Sequence, residues 1–255
     1  MAMLQRIQLH KEKLLTNPLL TAPAIRAKIK NRQEWQHLDS CSLDISMGNK
    51  WQDGPYLSSQ IRLVNQRFKS CFLHIGDTLQ RHNLMDRMSP EDAHTASYIM
   101  GSAWLARNAE IIEGLEIPYK IIRWDHWLSQ PEFPALHAAM REYYDSNVFF
   151  RKIVGRDVAL FTTRNPEANP ARCVDYLLEE AAADTLFCRQ NPVARLYPAS
   201  ELSTYTHLSK TEIPLPIKGL DRGTHLRVSF HRRGRGASQT AASAASRQDS
   251  ENAYG

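Results

Sequence analysis

An α/β layer fold with a mainly parallel sheet is what this sequence predicts, on two observations. Four short apolar runs recur along the chain, at residues 37–46, 70–76, 119–124 and 193–198. Between them lie longer segments whose apolar residues return at helical spacing, the pattern of strands joined by covering helices. With 255 residues the chain is long enough to bury a sizeable core. Its 42% hydrophobic and 23% charged residues are the balance of an ordinary soluble globular protein.

Taken in order, residues 1–36 read as an N-terminal extension carrying a basic run, Arg26, Lys28, Lys30 and Arg32. "HLDSCSLDIS" (37–46) is a strand that ends at Ser46. Residues 55–68 place Leu57, Ile61, Val64 and Phe68 on one helical face. "SCFLHIG" (70–76) is a second buried strand. A long helix then opens at "SPED", with Ser89 as N-cap and Pro90 in the first helical position. "YKIIRW" (119–124) is a third strand, 131–154 and 170–187 are helical, and "VARLYP" (193–198) is a fourth strand. From about residue 231 the chain turns small and polar. Residues 231–255 cannot bury enough apolar surface to offset their ordering entropy and read as a disordered tail. One folded domain over 37–230 remains, without internal repeats.

Several function classes are disfavoured. The four cysteines (Cys41, Cys71, Cys173, Cys188) are widely spaced with no CxxC pair, so reduced core thiols are expected rather than a zinc site or disulfide frame. His74 and His82 belong to no metal-ligand spacing. The N-terminus is too charged for a secretory signal, and no apolar run reaches the ~20 residues that span a bilayer, so a cytoplasmic protein without membrane contact is expected. The net charge of +5 leans only weakly toward anionic partners. There is no GxxxxGK[ST] and no GxGxxG.

Three places can carry chemistry. Ligands of open α/β sheets bind beyond the carboxyl ends of strands, and Ser46 sits at such an end. Gly48 and Gly54 follow, and without a Cβ they let the loop turn sharply and a substrate approach. Ser46 is therefore a candidate nucleophile, or merely the residue that ends the strand. The hydrolase elbow GxSxG is absent, because Asp44 occupies its first glycine position. Tyr176 and Glu180 lie four apart on one helical face. Buried together they could hold an ammonium group; exposed, they are a solvated face. Glu179 is about 100° away around the helix and is expected to face water. Tyr197, before the ladder-ending Pro198, would project from the same sheet edge as Ser46, or pack as a core aromatic. "LHIGD" (73–77) resembles the HIGH box of class I aminoacyl-tRNA synthetases, with Asp77 in place of the second histidine. "LSKTE" (208–212) only faintly echoes their KMSKS loop.

In order along the chain, "SMGNKWQDG", "DTLQRHN", "WLARN", "YLLEE" and "LYP" together resemble the tRNA-dependent cyclodipeptide synthases, over roughly residues 37 to 230. The "LYP" triplet and the serine loop are similar to the branch with the X-Tyr-Pro (XYP) signature. The resemblance implies a single Rossmann-like domain related to the catalytic domain of class I tyrosyl- and tryptophanyl-tRNA synthetases. It implies aminoacyl-tRNA substrates, a cyclic dipeptide product, no cofactor or metal, no DNA partner and a monomer. Ser46 would be the nucleophile, Tyr176 and Glu180 would hold the α-amino group, and Tyr197 would orient groups or relay protons. Gly48, Asn49, Leu43, Asp44 and Leu196 would border the substrate, and Arg107, Lys28 and Lys30 would meet tRNA. Asp44 and Trp51 depart from the family's usual Gly and Tyr, which bears on substrate identity. Transfer of the amino acid to another acceptor, or a non-catalytic RNA-binding module, are the alternatives.

Overall fold

The computed structural model describes residues 25–30, 35 and 37–232. The assigned tail lies outside them except for its first two residues. Six strands form one sheet: β1 (Ile25–Ile29), β2 (Ser40–Ser46), β3 (Ser70–Gly76), β4 (Tyr119–Arg123), β5 (Ala194–Tyr197) and β6 (Thr224–Arg232). Their order is β1-β6-β5-β2-β3-β4. Among the described residues only the β1–β6 pairing is antiparallel; the other four are parallel. The longer helices are α1 (Gly54–Arg67), α2 (Pro90–Arg107), α3 (Phe133–Ser146), α4 (Val148–Arg164), α5 (Pro170–Gln190) and α6 (Ser203–Lys210). No described helix is long and apolar enough to cross a membrane.

Local signals explain the element ends. The Ser89 hydroxyl accepts from the Asp92 amide, as an N-cap should. The stretch 131–154, read from sequence as one helical run, divides at Asn147. Its side chain accepts from the amides of Phe149 and Phe150 and starts α4 afresh. α5 begins at Asn169, which caps the Ala171 amide, with Pro170 in the first turn. Strand β1 falls inside what the sequence reading treats as an extension. Arg26 and Lys28 alternate with buried Ile25 and Ala27, so the "basic run" is the outward face of an edge strand.

Strand order reverses between β2 and β5. From β2 the chain proceeds through β3 to β4 on one side, whereas β5 and β6 lie on the other. This is the topological switch point, where the strand ends leave a crevice. Side chains alternate across the sheet. One face is apolar: Leu43, Ile45, Leu73, Ile75, Leu196 and Leu226 pack with Leu57, Ile61 and Val64 of α1. The opposite face of the same central strands carries Ser42, Asp44, His74 and Arg195, and Asp184 of α5 meets Arg195 and His74 there. Central parallel strands are ordinarily apolar on both faces, so this polar layer marks where the fold serves something besides packing. All four cysteines are buried free thiols.

Candidate active site

A cavity of about 590 Å³ opens at the switch point. Ser46 ends β2 and Tyr197 ends β5, and their hydroxyls are 3.0 Å apart. Past Ser46 the backbone turns at Gly48 (φ 80°) and again at Gly54 (φ 51°), in the left-handed region that favours glycine. Asn49 caps the short turn between them by accepting from the Trp51 amide, at 3.1 Å. Buried Gln52 holds this loop against the strand. Its Oε1 accepts from the Ser46 amide at 2.8 Å, and its Nε2 donates to the Asp44 carbonyl.

The facing wall is α5. Tyr176 and Glu180 both border the cavity, and Gln80 donates to the Tyr176 hydroxyl at 3.2 Å. Burial, then the neighbouring Glu180, push the Tyr176 phenol well above its ordinary range. Burial also raises the Glu180 carboxyl, and repulsion from Asp184 one turn on adds to it, bringing it to about 8. Near neutrality Glu180 thus exchanges a proton readily and would ionise when an ammonium group docks. Tyr197 is raised by burial, against the Ser46 hydrogen bond, and stays a neutral phenol.

Below these groups lies a buried ionic layer. Arg195 donates to Asp44 at 2.9 Å and to Asp184 at 2.5 Å. The Tyr205 hydroxyl donates to the same Asp184 oxygen at 2.9 Å. The Trp127 indole donates to His74 Nε2 at 2.6 Å, so the ring carries its proton on Nδ1. That nitrogen faces Asp44 and Asp184 at 3.7 and 3.6 Å. Burial alone would raise the Asp44 carboxyl, but Arg195 and His74 outweigh it and hold it well below the usual carboxylate range.

Two expectations are corrected. Glu179 does not face water. It is 3% exposed and bound to Arg81, His82 (2.9 Å) and the Trp124 indole (2.9 Å), because residues 78–84 and 124 close over that side of α5. Leu43 and Leu196 do not border the cavity. They are register partners on the apolar face, buried against α1, since strand alternation turns them away from Asp44 and Tyr197. Arg107 is exposed but tied to Asp53 at 2.7 and 3.1 Å. Lys28 and Lys30 are exposed on and just after edge strand β1.

Sequence reasoning missed Gln52, Gln80, Asp184, Arg195 and Tyr205. A signal existed for two of them: Asp184 and Arg195 each interrupt an otherwise apolar run.

No family model and no curated protein matches the chain. Solved structures do. A CDPS (cyclodipeptide synthase) from Fluoribacter dumoffii aligns with TM-score 0.73 and 24% identity, over 82% of this chain and 100% of that one. A cyclodipeptide synthase from Candidatus Glomeribacter gigasporarum bound to Phe-tRNAPhe gives 0.60 and 21%, over 76% and 88%. A Mycobacterium tuberculosis protein, whose structure relates cyclodipeptide synthetases to type I tRNA synthetases, gives 0.64 and 14%, over 82% and 94%. The chain therefore has the fold of the cyclodipeptide synthases, an α/β architecture akin to that of type I tRNA synthetases.

Proposed function

We propose that this protein is a tRNA-dependent cyclodipeptide synthase of the X-Tyr-Pro branch, Leu196-Tyr197-Pro198 being its signature. The observation that carries the reading is the meeting of Ser46 and Tyr197 at the switch point, opposite Tyr176 and Glu180 in one cavity. The shared fold, and the tRNA bound to one neighbour, support it.

Ser46 Oγ attacks the ester carbonyl of a first aminoacyl-tRNA. The bond to the ribose oxygen breaks, that oxygen takes the serine proton, and an aminoacyl-serine remains. Tyr197 donates to the departing ribose oxygen, and Tyr176 and Glu180 hold the α-amino group. The amine of the bound aminoacyl group then attacks the ester of a second aminoacyl-tRNA and passes its proton to the departing ribose oxygen, which leaves a dipeptidyl-serine. The new terminal amine attacks the serine ester, closing the diketopiperazine and returning a proton to Ser46. Each step is an acyl transfer from an activated ester, so positioning and proton transfer suffice and no ATP is called for.

Binding of tRNA draws on cationic surface. Lys30 borders a second, polar cavity with Lys210 and Arg227, and this cavity shares Ser200, Glu201 and His225 with the first. That continuity favours Lys30, with Lys28 beside it, as phosphate contacts leading to the site; Arg107 contributes from the other side. The work belongs in the cytoplasm, where charged tRNAs are. The test is expression in a bacterium with mass spectrometry of the medium. The wild type yields cyclic dipeptides and Ser46→Ala yields none. A product that survives Ser46→Ala, or acyl transfer to some other acceptor, sinks the reading.

A further inference from the structure

The ionic layer beneath the site is larger than catalysis at Ser46 requires, and it sits where a substrate side chain must go. Asp44 lies two residues before Ser46 on the same face of β2, roughly 7 Å along the strand. Asp184 lies one turn beyond Glu180 on α5, so it too is deeper in the cavity. With the ester at Ser46 and the α-amino group at Glu180, the side chain of the first amino acid points down between β2 and α5. Asp44, Asp184, Arg195, His74 and Tyr205 all border that space.

Resting on the synthase reading above, we infer that the first amino acid loaded on Ser46 has a basic side chain, received by Asp44 and Asp184. The layer holds two carboxylates and one guanidinium, with the Glu180 carboxyl above it. Arg195 spends Nε and Nη2 on the two aspartates, so its positive charge is already more than matched before any substrate enters. Asp184 Oδ2 accepts from Arg195 and Tyr205. Asp184 Oδ1 accepts no hydrogen bond among the described residues and faces His74 Nδ1 at 3.6 Å. The two carboxylates thus carry one more charge than Arg195 offsets, and one Asp184 oxygen is left open. An apolar side chain would strip water from these groups and return nothing. An acidic one would meet Asp44, Asp184 and Glu180 at like charge. A cationic donor brings the charges to balance and supplies the missing hydrogen bonds, and such sites discriminate strongly against analogues without them.

The test is to offer the purified protein single aminoacyl-tRNAs and read intact mass. Arginyl-, lysyl- or histidyl-tRNA is expected to give a covalent adduct on Ser46, at least roughly tenfold more than leucyl- or phenylalanyl-tRNA. Adducts from the apolar pair alone, or equally from both classes, overturn the inference and leave the synthase reading standing. No adduct from these five overturns the inference, and no adduct from any aminoacyl-tRNA, with protein that stays folded, defeats the synthase reading as well. As a second measurement, Asp44→Asn and Asp184→Asn should each shift the ratio toward neutral amino acids. An unchanged ratio in both folded variants removes these residues from recognition.

Discussion

Glu179 and Glu180 stand side by side on α5, and burial pulls each of them toward its neutral form, yet one is held down to about 2 and the other pushed up to about 8. The difference lies in what each faces. Against the burial that would raise it, Glu179 has His82 and Arg81 as partners and is closed off by Trp124. Glu180 looks into the cavity across from Ser46, with Asp184 as its strongest charged neighbour, and the weaker pulls of Arg195 and the Tyr205 hydroxyl do not offset the rise. A step of 100° around one helix thus separates a structural ion pair from a raised carboxyl that borders the cavity.

Substitution at each position should break different properties. Glu180→Gln is expected to cut cyclic dipeptide formation by about 10²–10⁴ with the fold intact, read by product mass spectrometry beside thermal denaturation. Glu179→Gln should instead cost stability, about 3–5 kcal/mol in chemical denaturation, because Arg81 and His82 lose their partner in a buried setting. Product formed per folded molecule should survive. Equal loss of activity in both variants would dissolve the contrast.

The pH dependence of stability sharpens it further. A carboxyl at about 8 when folded, against an ordinary 4.5, holds a proton that the unfolded chain has released. Between those values the folded state binds more protons, so the Glu180 contribution falls as pH rises through this window. Glu179 has the opposite sign: its stabilisation is present above 4.5 and is lost as pH falls toward 2. Stability curves should therefore flatten between about pH 4.5 and 8 in Glu180→Gln and below about 4.5 in Glu179→Gln.

The sequence makes one of these glutamates easier to place than the other. Spacing of four tied Glu180 to Tyr176, and the strand ends tied Ser46 to Tyr197, because periodicity registers which residues share a face or an edge. What closes over a face is decided by segments distant in sequence. Arg81, His82 and Trp124 reach Glu179 from 98, 97 and 55 residues away, and helical periodicity carries no trace of them. Strand alternation would have shown that Leu43 and Leu196 turn away from the cavity. The same rule would have identified β1, whose Arg26 and Lys28 sit two apart, and β6, where Leu226, Val228 and Phe230 alternate with polar residues. In these places a charge pattern or an unbroken apolar run drew attention away from period two.

Smaller effects follow from the same distinction between a tied and an untied group. Tyr197→Phe removes the only side-chain partner that Ser46 Oγ has among the described residues, at 3.0 Å. The loss of one hydrogen bond should slow serine acylation about tenfold, measured by single-turnover adduct formation.

At the surface, Arg107 is paired with Asp53, whereas Lys30 has no ion pair among the described residues. Each phosphate contact contributes close to one unit of salt dependence to tRNA binding, slightly less for single strands. Lys30→Ala should therefore lower the slope of log affinity against log salt by about 0.7–0.9. Arg107→Ala should lower it by less, because the guanidinium must first leave Asp53. If Arg107→Ala produces the larger change, phosphate displaces Asp53 on binding, and the tRNA approaches from the α2 side rather than along the edge of the sheet.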